Sequence, residues 1–201
     1  MPEGPPEPKK RGGYAKGDAR KQQILDRAIE VFAQRGANRT SLRAIAEAVG
    51  VTHGTLVHHF GSLDELLVAV YTASDKALDE RIALFEDPTP VEIMIESARA
   101  NRAVPGLVQL YSTLMAAALE EGHPAATDFA KNWFATVRED LTELVREHQQ
   151  AGRIRGDLDP RAVASLVIAA SDGLQTQWLL DDTAPQDEAL SILESLLRAP
   201  S

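Results

Sequence analysis

Apolar residues recur along this chain at spacings of three and four, the period of one helix face. Ile24, Leu25, Ala28, Ile29, Val31 and Phe32 make one such face, predicting a helix from about Asp18 to Arg35 that Gly36 ends. In the next stretch, TSLRAIAEAVGVTHGTLVHHFGSLDELL from Thr40 to Leu67, the residues Ile45, Val49, Val51, Leu56 and Phe60 form an inside, and two short helical segments meet at Gly50. Gly50 can supply the positive φ that stops a helix and turns the chain sharply. Ala46 stands where the two helices would cross closely. Thr40 or Ser41 can cap the first helix and Thr52 the second, which leaves a turn of about three residues, as a helix-turn-helix demands. The second helix, roughly Thr52 to Phe60, leaves His53, Gly54, Thr55, Val57, His58 and His59 near or on its surface. A recognition helix is presented in this way.

A fourth helix is predicted from Ser62, whose first turn carries Asp64 and Glu65, to about Phe85. At roughly 24 residues and 1.5 Å each it would span about 36 Å, long enough to join a head to a distant body. Asp87-Pro88-Thr89-Pro90 is the first clear break. Helices then follow near Val91–Ala103, Pro105–Glu121, Pro124–Ala151, Pro160–Asp181 and Pro185–Arg198, most with proline near the start. Long segments with short connections suit an all-α bundle. Val163, Leu166, Val167, Ala170, Leu174, Trp178 and Leu179 on one of the last two helices, with Ala189, Leu190, Ile192, Leu193, Leu196 and Leu197 on the other, either join two subunits or complete the core of one. The expected division is a basic, disordered leader over residues 1–17, a DNA-binding head over 18–67 and a helical body over 68–201.

Composition narrows the class. The chain has 201 residues, of which 44% are apolar and only 5% aromatic, and it has no cysteine; a disulfide framework and a thiolate metal site are excluded. The proline-rich start is no signal segment, and no apolar run reaches the roughly 18 residues of a membrane span. These features point to a soluble cytoplasmic protein. The net charge of −9 argues against a nucleic-acid partner until its distribution is read. Residues 1–61 hold ten Lys and Arg against six Asp and Glu, a net +4, and residues 62–201 hold eleven against twenty-four, a net −13. A basic head can meet phosphates while an acidic body stays away from the duplex. Lys9, Lys10, Arg11 and Lys16 of the leader could follow the backbone or minor groove, or form a solvated tail.

The run TSLRAIAEAVGVTHGTLVHHF followed by SLDELL resembles the DNA-binding domain of TetR-type transcriptional regulators, closely over Ala19 to Leu67. The likeness extends more loosely to GRIRGDLDP and the following SDGLQTQWLL. The resemblance implies an all-α homodimer, a double-stranded DNA operator, and a repressor released by a small-molecule effector; no cofactor is implied. A helix-turn-helix DNA-binding protein without an effector is the alternative. A dimer makes physical sense because two recognition helices about 34–36 Å apart read successive major-groove turns.

DNA contacts follow from chemistry and from the likeness. Arg43 carries a planar fork suited to guanine or phosphate, and Thr40 and Ser41 can offer a hydroxyl or backbone N–H to phosphate. The resemblance puts His53 and Thr55 at base-reading positions and Thr52, His58 and His59 nearer the backbone, one of the two last histidines being a structural alternative. Val57 and Leu63 depart from the family, which often has an aromatic and a lysine there as backbone contacts. Val57 can still touch a thymine methyl, and losing two phosphate contacts flattens the salt dependence by up to about two units of slope.

His53, His58 and His59, spaced by five and one, do not form an i, i+4 ligand pair, so no metal site is expected. No phosphate loop or HExxH motif suggests an enzyme, and Asp157 and Asp159 suit a helix cap before Pro160. For a small-molecule cavity the candidate walls are Met94, Leu107, Tyr111, Leu114, Met115, Phe129, Trp133, Phe134 and Trp178, interspersed with Asn101 and Gln109, and with Asp172 and Gln175 as the polar pair. Large apolar walls with few polar groups describe a ligand pocket and equally an ordinary core. An acid on an apolar helix needs a partner.

Overall fold

The computed structural model describes residues 12–35, 41–82 and 85–200, with side chains described over 20–31, 41–74 and 85–200. Among them are nine α-helices: α1 (Gly12–Arg35), α2 (Leu42–Val49), α3 (His53–Phe60), α4 (Leu63–Ile82), α5 (Pro90–Ala103), α6 (Leu107–Ala117), α7 (Pro124–Gln150), α8 (Pro160–Leu180) and α9 (Gln186–Leu197). The one extended contact among the described residues is an isolated antiparallel bridge between Ile154 and Arg198. The architecture is all-α, a helix-turn-helix head followed by a helical body.

Local chemistry sets most helix ends. At α4, Ser62 Oγ accepts from Glu65 N–H (3.1 Å) while the Glu65 carboxylate accepts from Ser62 N–H (2.8 Å), the reciprocal capping that satisfies two orphan donors. Thr89 and Glu92 do the same at α5, and Asp159 caps α8 through Ala162 N–H at 2.8 Å. Three helices differ in their boundaries from the sequence expectation. Helix α1 begins at Gly12, so residues 12–17, assigned to a disordered leader, are helical; Ala15 and Lys16 are good helix formers, and extending a helix costs far less than nucleating one. Helix α6 begins at Leu107 because Gly106, at φ 80°, turns the chain after Pro105, and it ends at Ala117, beyond which Leu119 and Glu120 bond three residues back. Helix α4 has 20 residues, about 30 Å, and Phe85 lies in a bend outside it.

Two apolar cores form. The first joins Ile24 and Ala28 of α1, Ile45 of α2, Leu56 and Phe60 of α3, and Leu66, Val70 and Tyr71 of α4 to Leu107, Leu110, Tyr111 and Leu114 of α6 and Ala126 of α7. The head therefore shares its apolar interior with α6, and α4 is packed along that seam. Each fully buried Leu or Ile here contributes about 1.5–3 kcal/mol relative to exposure. The second core lies between α5, α7, α8 and α9, with Val91, Met94, Leu141, Val145, Val163, Val167, Ile168, Leu190 and Leu197 buried. The α4–α5 connection is tied to the end of α7: buried His148 accepts from Arg153 Nε at its Nδ1 (2.9 Å) and donates from Nε2 to Pro88 O (3.2 Å), and Arg153 pairs with Asp87.

The apolar residues of α8 and α9, taken together in the sequence, divide between two faces. Val163, Val167, Leu190 and Leu197 are buried, and Ala170, Leu174 and Leu193 pack against them. Leu166, Ile192 and Leu196 are 51%, 62% and 66% exposed, and Leu179 and Leu180 also face outward. At 3.6 residues per turn a helix this rich in aliphatics carries more apolar positions than one face can bury.

Candidate nucleic-acid interface and effector cavity

The reader is built by its caps. Ser41 Oγ accepts from Ala44 N–H at 3.2 Å and starts α2. Gly50, left-handed at φ 73° and ψ 36°, ends it; Gly50 N–H donates to Glu47 O and Val51 N–H to Ala46 O. Thr52 Oγ1 accepts from Thr55 N–H at 3.1 Å, and the two threonine hydroxyls lie 2.8 Å apart. Thr52 thus spends its oxygen on holding the first turn of α3. Ile45, Ala46, Leu56 and Phe60 are buried beneath the two helices and set the roll of α3.

That roll leaves Arg43, Ser41, Thr52, His53, Gly54, Val57 and His58 exposed, with Thr55 and His59 half-buried. His53 and Val57 form one row along α3, Gly54 and His58 the next. A Cβ at Gly54 would meet only Thr52 Oγ1, at 3.8 Å, so the backbone there lies open to approach. His58 and His59 rings meet edge to face at 5.4 Å, and His59 leans toward Phe60. Leu63 is half-buried against the first core, which accounts for an aliphatic residue there. Thr40 and the leader cations Lys9, Lys10 and Arg11 lie outside the described residues, as does the side chain of Lys16.

The body holds a cavity of about 690 Å³ between α6, α7 and α8. It brings together five of the residues named as cavity candidates: Tyr111, Met115, Phe134, Asp172 and Gln175. The other candidates lie elsewhere. Met94 belongs to the second core and Leu107 to the first. Phe129 packs edge-on against Tyr71 (5.5 Å), and Trp133 stands behind the cavity wall, its ring 5.2 Å from Tyr111 and 5.0 Å from Phe134. Trp178 lines a separate opening of about 200 Å³ beside Arg102 and Asp187. The sequence reading missed Ser112, Ala118, Leu119, Thr127, Ala130, Lys131, Arg138 and Thr176. Of these, Lys131 and Arg138, three residues before and four after Phe134, carried a usable signal, a common face of α7.

Tyr111 donates to Asp172, 3.2 Å from each carboxylate oxygen. Burial pushes Asp172 up to about 6, the Tyr111 hydrogen bond opposing it; burial and the neighbouring carboxylate push the Tyr111 hydroxyl well above its ordinary value. The cavity also borders the joint with the head. Thr127, in its wall, donates to Ala118 O (3.1 Å) and His123 O (3.0 Å), and the His123 ring meets Asp64, in the first turn of α4, at 2.7 Å.

Residues 24–70 match the model of bacterial regulatory proteins of the tetR family, and residues 95–199 match that of the BetI-type transcriptional repressor C-terminal domain. The chain belongs to the TetR family and is a DNA-binding transcriptional regulator. It is 26% identical over 166 residues to the HTH-type transcriptional regulator UidR of Escherichia coli K12, covering 80% of this chain and 82% of that one. It is 28% identical over 185 residues to the HTH-type transcriptional repressor Rv1474c of Mycobacterium tuberculosis, covering 90% and 94%. Among solved structures, the multidrug binding protein EbrR complexed with imidazole is 26% identical, covers 91% of this chain and 92% of its own, and has a TM-score of 0.61. Among the described residues no helix is long and apolar enough to cross a membrane.

Proposed function

We propose that this protein is a homodimeric repressor whose hold on its operator is released by a small molecule in the α6–α7–α8 cavity. The observation that carries the reading is the joint between cavity and reader: Thr127 lies in the cavity wall and bonds the corner whose His123 holds Asp64 of α4. Arg43, Ser41 and the exposed row of α3 meet the DNA, with His53 and Thr55 toward the bases and Thr52, His58 and His59 toward the phosphates. Val57 is placed to touch a thymine methyl. The repressor Rv1474c supports the sign of regulation, and the drug-binding EbrR supports an effector. The outward aliphatic face of α8 and α9 supports the dimer, since a contiguous apolar patch on a soluble domain marks an interaction surface.

A ligand that shifts the spacing of the two readers needs a coupling of about 1–3 kcal/mol between its site and the operator. Fluorescence anisotropy with DNA from the protein's own upstream region, against scrambled DNA, tests the reading. Sequence-dependent binding of two protomers per site, reversed by a compound that raises the melting temperature, is the expected result. Specific binding that no cavity ligand reverses would leave a regulator without an effector. Equal weak binding to upstream, scrambled and genome-selected DNA would refute the recognition-helix assignment.

A further inference from the structure

We propose that α3 grips DNA phosphates through protonated histidines: His58 and His59 meet the backbone as imidazolium ions, so the complex takes up protons as it forms and loosens as pH rises. The inference rests on the reading of α3 as the recognition helix and names the charge by which that helix binds.

Three observations converge. The reader has no net fixed charge to offer a polyanion. From Ser41 to Gly61 it holds one arginine, Arg43, and one glutamate, Glu47, which cancel, and its other ionisable side chains are His53, His58 and His59. All three lie on α3, whose sequence HGTLVHHF includes no Lys, Arg, Asp or Glu. The charge that helix carries to the duplex is therefore set by its imidazoles alone. Those imidazoles are also open to a new partner. His53 and His58 are exposed and His59 is half-buried, and among the described residues none of them makes a hydrogen bond or an ion pair; His58 meets His59, and His59 meets Phe60, through ring contacts. Finally, His58 and His59 occupy the last turn of α3, where the carbonyl end of a helix favours positive charge.

The charged groups on the elements packed against α3 are Arg43 and Glu47 on α2, Asp64 and Glu65 on α4, and Lys21 on α1, whose Nζ lies 5.6 Å from the centre of the Phe60 ring. Glu65 accepts from Ser62 N–H and Asp64 meets His123, so neither carboxylate is paired with an α3 histidine. Side chains of these five kinds keep their ordinary charge between about pH 6 and 8.5, whereas an imidazole, titrating near 6.5, does not. A phosphate at contact distance favours the charged form. With a rise of about one unit on binding, each contact weakens about sevenfold between about pH 6 and 8.5, and two contacts about fiftyfold.

The test uses the full-length protein with two duplexes, DNA from its own upstream region and a scrambled duplex of equal length, in competition anisotropy across pH and salt. Affinity for the upstream duplex should fall about fiftyfold from about pH 6 to 8.5, and affinity for the scrambled duplex by a similar factor, since phosphate contacts carry no sequence. The slope of log affinity against log salt should be shallower at the higher pH by about two units. Calorimetry near pH 7 in two buffers of different ionisation enthalpy should read the uptake of about one proton per recognition helix. His58→Gln with His59→Gln should remove the pH response, and His58→Lys with His59→Lys should hold at high pH the affinity that the unsubstituted protein reaches at low pH. His123, His148 and Asp172 remain in both variants, so a response arising from them would survive. Thermal melts at each pH show whether the variants stay folded.

Equal affinity at the two pH values, a response that survives the paired glutamines, or one lost in His53→Gln alone overturns the assignment. The two readings fail differently. Sequence-dependent binding without a pH response would keep α3 as the reader and refute its histidines as the phosphate contacts. A histidine-dependent pH response with no preference for upstream or genome-selected DNA would keep the contacts and refute the operator reading.

Discussion

Replacing Gly50 with alanine isolates one term in the architecture of the reader. A Cβ at Gly50 would have no heavy atom within 4 Å, so the substitution brings no clash. What remains is backbone: at φ 73° and ψ 36° an L-residue costs about 1–2 kcal/mol, offset by about 0.4–1 kcal/mol from the stiffer unfolded chain. The net expectation is a loss of about 1 kcal/mol, or about 2–4 °C in melting temperature for a protein of this size. Gly50→Asn should lose less, since asparagine tolerates the left-handed region, and Gly50→Val more. If the chain escapes the strain by leaving that conformation, the bonds from Gly50 N–H to Glu47 O and Val51 N–H to Ala46 O are disturbed and α3 shifts on α2. Operator affinity would then fall by more than stability does. Urea unfolding by circular dichroism and operator anisotropy at one fixed protein concentration measure the two effects. Alanine as stable as glycine, or asparagine as harmful as valine, would refute the account.

Arg43→Ala and His53→Ala, both exposed, should lower operator affinity about tenfold each without changing the melting temperature; unchanged binding in competition anisotropy would remove those residues from the interface. Ile192→Asp with Leu196→Asp should shift the protein from dimer to monomer in sedimentation while leaving its helicity intact, and an unchanged mass would place the dimer contact elsewhere. His123→Ala should leave operator affinity nearly intact, since a half-exposed ion pair contributes about 0–1 kcal/mol, yet raise the effector concentration needed for release; an unaltered release curve would discount the His123 and Asp64 contact as the route. Asp172→Asn should stabilise the protein at pH 7. Because the folded carboxyl binds its proton more tightly than the unfolded one, stability is fully present below the unfolded value and declines as pH rises toward about 6. The gain from asparagine, about 1–3 kcal/mol at most, should therefore vanish near pH 4, and thermal melts that show no such pH dependence would contradict the burial of that charge.

The reader was legible because its instructions are local. Ser41, Gly50 and Thr52 act within four residues of themselves, and Ile45, Ala46, Leu56 and Phe60 lie within one short stretch whose period announces the buried side. Prolines and capping side chains marked most later helices for the same reason. The misplaced start of α6 shows the limit: Pro105 resembles a first helical residue, but Gly106 takes the left-handed turn one step later. Cavity membership was only half legible. Tyr111, Met115, Phe134, Asp172 and Gln175 were picked out as bulky or anomalous on apolar helices, and so were Met94, Leu107, Leu114, Phe129, Trp133 and Trp178, which pack elsewhere. Thr127, Lys131 and Arg138, small or charged on a helix face, were not singled out.

The sequence alone determined what each segment becomes and where the two-helix reader turns, because capping, helical period and backbone restriction act between neighbours in the chain. Only the tertiary structure decided how far each helix is rolled about its axis. That roll put Leu166 and Ile192 outside while Val167 and Leu190 went in, joined Asp64 to His123 across 59 residues, and carried the core of the head into α6. Each aliphatic helix offers several faces that could be buried, and the choice among them is made by the shapes of the helices that come to lie against it.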